Sequence, residues 1–562
     1  MRGQDNFQDE NTNLNLTDVR ASVHGDVLHS RPAVVNYNRF GSDNDVYVFY
    51  GANDGIVHAI KGGYASDGAD PAALAPGREA WGFIPKEFFG SFTRMRNNSP
   101  TISSSFKKPY FADGPIGIYT NDANGNLKLG DTGDVVNLYI AMRRGGRFIY
   151  ALDVNNPNDP RYLWKIDNTT TGFSELGQTW SEPKVVTNIN GYSNPVLIFG
   201  AGYDPAVEDI EPSAVTSASA ASVTTAAGTV SRTMGRGIYV VDAITGALVW
   251  SAGRAGSGFT LSVPGMDFAI PSDISVIKNA SVGGPVTHAY VGDTGGNVWR
   301  IDFAGTNLAS STVTQLAAVG DLTTAAGRRK FQFPPDVVAQ VGFDAVLIGS
   351  GDREHPFDTT VVNRMYMFKD QGNDAGPKTG NVTTTPSPVP AGTDPTIVES
   401  ALFDATTDCI QDPAGCTAGQ TQTSSLTALN SASGWFITLG AGEKVVGNAV
   451  SIAGITFFNT NQPSSTAGGG ACGSNLGIAR QYEVSTVDAT ATNALNTIGG
   501  ALTAASRSTI HPGGGYLPSP VHVVVVLGGI PVEAVISGTE VRTPAGAPLS
   551  ARLRKYWYKE IE

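Results

Sequence analysis

Short apolar runs, each followed by a turn rich in Gly or Asp and then by a second apolar run, recur along the whole chain. In one copy, Val46–Tyr50 and Ile56–Ile60 flank the turn Gly51–Gly55. Runs of this length that are rich in Val, Ile, Tyr and Phe and bounded by turn formers are typical of β-strands. The pattern therefore predicts antiparallel strand pairs, and helical periodicity is weak throughout.

Seven such strand pairs follow one another. They are Val46–Tyr50 with Ile56–Ile60, Val135–Met142 with Phe148–Val154, Val196–Gly202 with Gly237–Asp242, Ala289–Val291 with Asn297–Asp302, Val346–Gly351 with Met365–Lys369, Val445–Asn459 with Ala479–Val484, and Val521–Val525 with Glu533–Ser537. Recurrence of one strand unit at intervals of roughly 50–90 residues predicts the blades of a β-propeller with long insertions. The predicted fold is all-β, with seven blades.

Two stretches interrupt this recurrence. Pro205–Arg236 is rich in Ala, Ser and Thr, and Asp370–Ser433 is rich in Gly, Thr and Pro. We expect both to be surface excursions from a single propeller domain that spans 25–562, with 1–24 as an approach segment. Their composition offers little apolar surface to offset the entropy of ordering.

Composition and charge argue against some classes of protein function. Charged residues make up 16% of the chain, the net charge is −12 and the pI is near 5.1. A diffuse acidic surface argues against nucleic acid as the main partner. No apolar run approaches the ~20 residues of a membrane span. The N-terminus lacks the pattern of an export signal, so any such signal is expected upstream.

Three cysteines provide little redox or metal chemistry. The sequence has no CxxC motif and no Cys/His cluster, so it does not predict a structural zinc site. Cys409 and Cys416 form either a small loop-closing disulfide in an oxidising compartment or two free thiols. Cys472 has no evident partner.

The sharpest local motif runs from Val241 to Trp250. In it, Asp242 caps a tight turn, Gly246 takes the strained position and Trp250 docks between neighbouring blades. It resembles the tryptophan-docking repeat of quinoprotein dehydrogenases and of their non-enzymatic relatives. Blade packing is the preferred interpretation over a quinone site, because the vicinal Cys pair usual near that cofactor is absent. The same structural role is predicted for Asp54, Asp293, Trp299 and Asp352.

No catalytic residue is predicted. The seven histidines form neither HxH nor HExxH, and the sequence has no GxSxG elbow and no Walker A motif. His355, in Gly349–Pro356, has ionisable neighbours in the same turn. A catalytic Asp/His pair is one interpretation, and a turn held by an Asp–Arg ion pair and a capping Asp is the preferred one.

The sequence contains candidate ligands for a calcium ion. Asp122, Asn124 and Asn126 place oxygen-bearing side chains at alternating positions, as calcium loops do. Leu127 stands where such a loop has Gly, and no Glu closes the loop. A polar hairpin tip with Asx turns is the preferred interpretation, and a calcium loop is the alternative.

A set of motifs, taken in their order along the chain, resembles the PilC/PilY family. They are Gly25–Pro32, Gly51–Ala59, Trp81–Pro85, Tyr150–Val154, Leu176–Pro183, Phe199–Asp204, Gly237–Asp242, Tyr290–Asp302, Phe333–Pro335, Gly349–Pro356 and Tyr556–Ile561. No single string is decisive, but their joint order is very specific and spans nearly the whole chain.

The resemblance implies the C-terminal domain of a type IV pilus tip and assembly protein. It implies an irregular seven-bladed propeller of the quinoprotein alcohol dehydrogenase-like type, without enzymatic activity or cofactor. The implied protein is secreted or surface-exposed, at the pilus tip or outer membrane. It supports pilus assembly and twitching motility, opposes retraction and adheres to host or abiotic surfaces, with minor pilins as partners. A periplasmic quinoprotein-type enzyme and a propeller scaffold for outer-membrane assembly are the alternatives.

The family's calcium loop is degenerate in this chain. Several members carry an Asp-rich loop before the Tyr-Val-Gly-Asp strand, where calcium binding tunes retraction. The corresponding segment is Lys278–His288, in which Asn279, Ser281 and Thr287 are the plausible ligands and none is a carboxylate. We therefore expect no tight calcium binding at this loop.

Overall fold

In the computed structural model of the chain, the described residues are 24–542 apart from 41–44, 64–73, 98, 104, 190, 279–283, 304–306, 373–395, 465–475, 493–501, 528–529 and 539, together with 13, 15, 17 and 18. Several sequence-based predictions concern residues outside this part of the chain: those on Asn279, Ser281, Cys472, most of the approach segment 1–24 and the motif Tyr556–Ile561.

Among the described residues, seven sheets of three to five strands follow one another, and we call them blades one to seven; a further small sheet is described below. Blades one and two are four-stranded antiparallel meanders. Blade one consists of β1 (Ala33–Asn36), β2 (Val46–Gly51), β3 (Val57–Lys61) and β4 (Glu79–Phe83), and blade two of β5 (Ile116–Asn121), β6 (Val135–Ala141), β7 (Phe148–Asp153) and β8 (Arg161–Asp167). The helix α1 (Phe92–Asn97) lies in the connection between them.

Blades three and four each add a parallel outer strand to four antiparallel ones. Blade three consists of β9 (Lys184–Val186), β10 (Val196–Gly200), β14 (Gly237–Asp242), β15 (Leu248–Arg254) and the parallel β16 (Leu261–Val263). Blade four consists of β17 (Ser275–Lys278), β18 (Val286–Gly292), β19 (Asn297–Asp302), β20 (Thr312–Ala318) and the parallel β24 (Ile397–Val398).

Blades five to seven complete the series. Blade five consists of β21 (Asp336–Gln340), β22 (Phe343–Gly349), β23 (Arg364–Asp370), β26 (Gly434–Thr438) and the parallel β25 (Phe403–Asp404). Blade six consists of β27 (Lys444–Val445), β28 (Val450–Ile452), β29 (Ile455–Gln462), β30 (Ile478–Ser485) and β31 (Ser508–His511), and blade seven of β32 (Val521–Leu527), β33 (Ile530–Ser537) and β34 (Glu540–Arg542).

The hydrophobic core lies between successive blades rather than at a single centre. Separate clusters of buried side chains fill the interfaces from blade one to blade seven in order. Each inner strand is therefore packed on both faces, and every residue of β10 and β14 is buried. Burial on both faces explains why these strands appear in the sequence as continuous apolar runs.

The predicted strand pairs are confirmed. The seven pairs correspond to β2/β3, β6/β7, β10/β14, β18/β19, β22/β23, β29/β30 and β32/β33, each antiparallel. Only Val445–Asn459 is divided more finely than predicted. Ala453 and Gly454, both with positive φ, turn the chain between β28 and β29.

The two predicted excursions contain more regular structure than their composition indicates. Within 205–236, the helix α2 (Pro205–Glu208) precedes a three-stranded sheet of β11 (Val215–Ala218), β12 (Ser222–Thr225) and β13 (Gly228–Ser231), which is separate from the seven blades. The described part of 370–433 supplies β24 and β25 to blades four and five and forms the helix α3 (Gln422–Ser431). Two-residue strands and a helix without an apolar stripe leave no periodic signal in the sequence.

Two further points concern the chain as a whole. Cys409 and Cys416 are joined in a disulfide, the first of the two alternatives that the sequence left open. Within the described residues, no helix has the length and apolar character needed to cross a membrane.

Candidate functional site

Asp293 closes a blade-tip turn and holds a docked tryptophan. Its carboxylate accepts hydrogen bonds from the Gly295 amide at 2.8 Å, the Asn297 amide at 3.0 Å and Trp299 Nε1 at 2.8 Å. Burial raises the pKa of Asp293 to about 6, although these hydrogen bonds act to lower it. Asp293 and Trp299 thus act together to fix the β18–β19 turn against the blade interface.

Asp242 and Trp250 repeat this arrangement in blade three with one difference. Asp242 accepts hydrogen bonds from the amides of Ile244 and Thr245, both at 2.8 Å. Trp250 is 1% exposed and packs in the core between blades three and four, and its Nε1 has no hydrogen-bond partner among the described residues. This environment favours the packing role that was predicted for Trp250.

Asp352 and His355 form a buried pair that belongs to a larger charge cluster. Asp352 Oδ2 lies 2.8 Å from His355 Nδ1 and 2.7 Å from Lys330 Nζ, and Lys330 also pairs with Glu208 at 2.9 Å. The prediction of an Asp–Arg ion pair in this turn is wrong, because the Arg353 guanidinium instead lies over the ring of Tyr516. The expected cap is present, since Asp352 accepts a hydrogen bond from the Glu354 amide.

Asp352 and His355 each shift the pKa of the other toward its charged form. Burial would raise the pKa of Asp352, but Lys330 and His355 hold it well below its usual value. Burial would lower the pKa of His355, but Asp352 raises it. The Nδ1 nitrogen of His355 is committed to Asp352, and the Asp352 carboxylate is shared with Lys330. These contacts fit the interpretation in which the pair stabilises the turn.

A second set of charges crosses the middle of the propeller. Arg143 and Arg144 follow β6 in blade two, Glu354 lies in the β22–β23 connection of blade five, and Asp209 follows α2. Arg143 donates to Glu354 at 3.0 Å, and Arg144 donates to Glu354 at 2.6 Å and to Asp209 at 2.9 Å. Blades two and five are not neighbours, so these contacts tie together parts of the ring that share no strand pairing.

We call Arg143, Arg144, Asp209 and Glu354 the central network. Aromatic rings and a histidine extend it. The rings of Trp180 and Tyr203 stack at 3.9 Å, and the Arg143 guanidinium lies 3.9 Å from the Trp180 ring. Close by, His29 donates to Asp113 at 2.8 Å, and Asp113 lies 3.8 Å from Arg143. Burial lowers the pKa of His29.

Electrostatics in the central network follow from this pairing. Burial lowers the pKa of Arg143 to about 10, whereas Asp209 and Glu354 raise the pKa of Arg144 above its usual value despite its burial. Burial would raise the pKa of Glu354, but Arg143 and Arg144 lower it. All four groups are therefore charged near neutral pH and neutralise one another. Such a network can hold blades in place, and it has no group poised to gain or lose a proton.

The Asp122 loop is organised by its own backbone. Asp122 accepts hydrogen bonds from the amides of Gly125 at 2.8 Å and Leu127 at 2.7 Å, and Asn126 Oδ1 accepts one from the Lys128 amide. Asn124 Oδ1 accepts from the Asn126 amide. These are the Asx turns of the preferred interpretation. Calcium binding at Asp122, Asn124 and Asn126 stays a prediction that these contacts neither require nor support.

Of the three candidate ligands in the degenerate family loop, Thr287 alone lies within the described residues. It stands in β18, and its Oγ1 donates to the Ile277 carbonyl at 3.3 Å across the β17–β18 pair. The remaining structural-motif residue, Asp54, lies in the β2–β3 turn and accepts hydrogen bonds from the amides of Gly25 and Ile56, both at 3.0 Å.

Sequence reasoning did not identify the central network. Arg144 and Glu354 are 210 positions apart, and although Glu354 lies in the Gly349–Pro356 motif, no local pattern links the two residues. A signal was nevertheless present, because an adjacent Arg143–Arg144 pair in a blade-tip turn of a chain with few charges calls for acidic partners.

Comparisons with known proteins agree with the fold. No protein-family model matches the chain. It is 25% identical over 312 residues to type IV pilus biogenesis factor PilY1 of Pseudomonas aeruginosa strain UCBPP-PA14, which covers 51% of this chain and 21% of that protein. It is 26% identical over 196 residues to a PilY1 homologue of Xylella fastidiosa strain Temecula1, a match that covers 31% of this chain and 14% of that protein. The matched segments thus span about 21% and 14% of the length of these two relatives.

A solved structure matches over most of the chain. The crystal structure of the Pseudomonas aeruginosa PilY1 C-terminal domain aligns with a TM-score of 0.54 and 17% identity, covering 89% of this chain and 92% of that domain. This match supports the propeller fold, and the curated relatives and the ordered motifs point to the same proteins. The chain is thus similar in sequence to PilY1 proteins and has the fold of the PilY1 C-terminal domain, in agreement with its resemblance to the PilC/PilY family.

Proposed function

We propose that this chain is a non-enzymatic type IV pilus biogenesis domain that supports pilus assembly, opposes retraction and contributes to adhesion. The observation that carries the proposal is the sequence similarity to PilY1 proteins, which are named as type IV pilus biogenesis factors. The propeller fold, which the chain has in common with the PilY1 C-terminal domain, supports it.

The arrangement of charges in the propeller supports a binding role rather than catalysis. In the central network, Arg143 and Arg144 are neutralised by Glu354 and Asp209. Asp352 and His355 are likewise occupied by each other and by Lys330. Protein groups that are paired in this way stabilise a scaffold, and scaffolds of this kind present their loops to partners.

The proposed partners are minor pilins at the pilus tip, together with a host or abiotic surface. The proposed location is the cell surface, at the pilus tip or outer membrane. A net charge of −12 favours a soluble, exposed domain over association with nucleic acid. These are proposals for the protein that contains this chain, since the matched segments cover a small share of its relatives.

Removal of the propeller from its full-length gene tests the proposal. Surface pili are counted by electron microscopy in native cells and in cells that lack residues 25–542, each with and without the retraction motor. We expect few pili after the deletion and recovery of pili when the motor is also removed, because an assembly factor that opposes retraction becomes dispensable without retraction. Unchanged pilus numbers in the first deletion would contradict the proposal.

The quinoprotein alternative has its own measurement. The purified domain is incubated with pyrroloquinoline quinone and calcium, dialysed, and assayed for bound-quinone absorbance and for alcohol-dependent dye reduction. We expect neither signal above a bovine serum albumin control. Stoichiometric quinone with dye reduction would establish an enzyme instead.

A further inference from the structure

Two histidines and an aspartate converge where the chain enters blade one. His24 lies before β1, Asp54 in the β2–β3 turn and His58 in β3. One potential ligand atom from each side chain lies within 4.8 Å of the other two. The imidazole rings of His24 and His58 stack with centroids 4.5 Å apart. Residues 34 positions apart in sequence are thus brought together by the fold.

The outer nitrogen of each imidazole is already committed to an oxygen acceptor. His58 Nδ1 donates to Glu79 Oε1 at 2.6 Å, and His24 Nδ1 donates to the Gly25 carbonyl at 2.6 Å. Histidines that bind metals almost always donate their second ring N–H to a carboxylate or a backbone carbonyl, which fixes the tautomer. In the neutral tautomer set by these bonds, Nε2 of both rings carries a lone pair.

Nε2 of His58 lies 3.1 Å from Asp54 Oδ2. With Nδ1 as the donor to Glu79, a neutral His58 would place a lone pair opposite a carboxylate oxygen, which is repulsive. A cation between the two atoms removes this conflict, and either a proton or a metal ion can serve. Tyr50 donates to His24 Nε2 at 2.9 Å, so that nitrogen also acts as an acceptor, and a metal ion bound there would replace this hydrogen bond.

Asp54 and the entering segment are held firmly in place. The amides of Gly25 and Ile56 donate to the Asp54 carboxylate at 3.0 Å each. A Cβ atom at Gly25 would lie 2.2 Å from the Asp54 amide nitrogen, so the backbone next to His24 is pressed against the turn. The position of His24 relative to Asp54 therefore follows from backbone packing.

We propose that His24, Asp54 and His58 bind one Zn²⁺ ion, with water in the fourth position. Two imidazoles and one carboxylate are ligands that zinc accepts, whereas calcium and magnesium prefer oxygen ligands alone. Tetrahedral ligands at zinc distances lie roughly 3.3 Å apart, so binding requires the ligand atoms to move closer together by up to about 1.5 Å. His24 is exposed and can make that movement, while Asp54 and His58 are anchored by the turn and the strand.

The bound ion would have a structural role. It would cross-link the segment that precedes β1 to the β2–β3 turn, and Glu79 would orient His58 from the far side. This site is independent of the Asp122 loop and of the Lys278–His288 loop, both of which concern calcium.

Metal titration of the purified chain tests this site. After chelator treatment and dialysis, Zn²⁺ binding is measured by calorimetry, and Co²⁺ is added separately to record the visible absorption of a tetrahedral site. We expect one Zn²⁺ per chain with micromolar or tighter affinity, a rise in Tm on Zn²⁺ addition, and no competition from millimolar Ca²⁺.

Two ligand variants and one control variant test which residues bind the ion. His24→Gln and Asp54→Asn should each weaken Zn²⁺ binding at least tenfold and abolish the Co²⁺ spectrum. His511→Gln, which removes an imidazole from β31 in blade six, should leave both unchanged. Because His24 is exposed, His24→Gln should keep the Tm of the metal-free protein, which separates loss of binding from loss of folding. Absence of 1:1 binding, or unchanged affinity in His24→Gln, would overturn the proposal.

Discussion

Replacing Glu354 by Gln removes the one charge that Arg143 and Arg144 share. The Glu354 side chain is 13% exposed and accepts hydrogen bonds from both guanidinium groups, at 3.0 Å from Arg143 and at 2.6 Å from Arg144. Glutamine has the same shape and keeps one acceptor oxygen, so the change isolates the charge. After it, Asp209 still pairs with Arg144, but the nearest remaining carboxylate to Arg143 is Asp113 at 3.8 Å.

The cost follows from the burial of Arg143 and Arg144. Removing one partner of a buried ion pair costs about 3–5 kcal/mol, because the other charge is left buried without compensation. Since glutamine retains one acceptor, we expect the lower end, about 3 kcal/mol. Asp159→Asn is the matched control, because Asp159 pairs with Arg161 at 3.9 Å on the surface, where both side chains are more than 60% exposed. Surface pairs of this kind contribute about 0–1 kcal/mol.

Urea unfolding followed by tryptophan fluorescence at pH 7 measures both variants against the native chain. Glu354→Gln should move the midpoint to clearly lower urea, and Asp159→Asn should leave it nearly unchanged. Equal midpoints for the two variants would refute the view that the central network holds the blades together.

Acid should reduce the difference between the native chain and Glu354→Gln. The pKa of Glu354 is lowered from its ordinary value of 4.5, so its stabilising charge is fully present above that value and is lost as the pH falls through the lower folded-state pKa. The gap in stability should therefore be constant from pH 5 to pH 7 and shrink below about pH 4.5. A gap that widens in acid would contradict this assignment of charge.

Three further predictions concern other parts of the chain. Gly246→Ala should destabilise the domain by about 1–3 kcal/mol more than Gly258→Ala, because both have positive φ but only a Cβ at Gly246 would meet Trp164, at 2.8 Å; equal thermal shifts would contradict this packing. Asp293→Ala should cost at least ~2 kcal/mol, because it leaves several buried donors without an acceptor, and a Tm within 1 °C of the native value would count against that role. Calorimetry should detect no micromolar calcium site at the Lys278–His288 loop, since this loop lacks carboxylates. A micromolar site that Asn279→Ala abolishes would refute this.

The strand pairs could be predicted from sequence because the blades bury both faces of their inner strands. Every residue of β14 is buried, so Gly237–Asp242 appears in the sequence as an unbroken apolar run that ends in a turn-forming Asp. Docked tryptophans such as Trp250 and Trp299 followed from the same local patterns. These signals lie within a few residues of one another, and a single sequence records them directly.

Contacts between distant segments could not be predicted in this way. β24 and β25 have two residues each, and they join their blades through parallel pairing that leaves no alternation in the sequence. The Arg144–Glu354 contact and the approach of His24 to His58 depend on how blades and entering segments are placed in the ring. Only the folded chain brings these side chains together, so most of the candidate site could not be predicted from the sequence.

Shearing pili from cells tests whether this domain is associated with pili. The chain is quantified by mass spectrometry in the sheared pilus fraction of native cells and of cells that lack the major pilin, with an outer-membrane porin as the contamination control. We expect enrichment of the chain over the porin in native cells and its loss from that fraction without the major pilin. Equal recovery of the chain from both strains, in constant ratio to the porin, would contradict it.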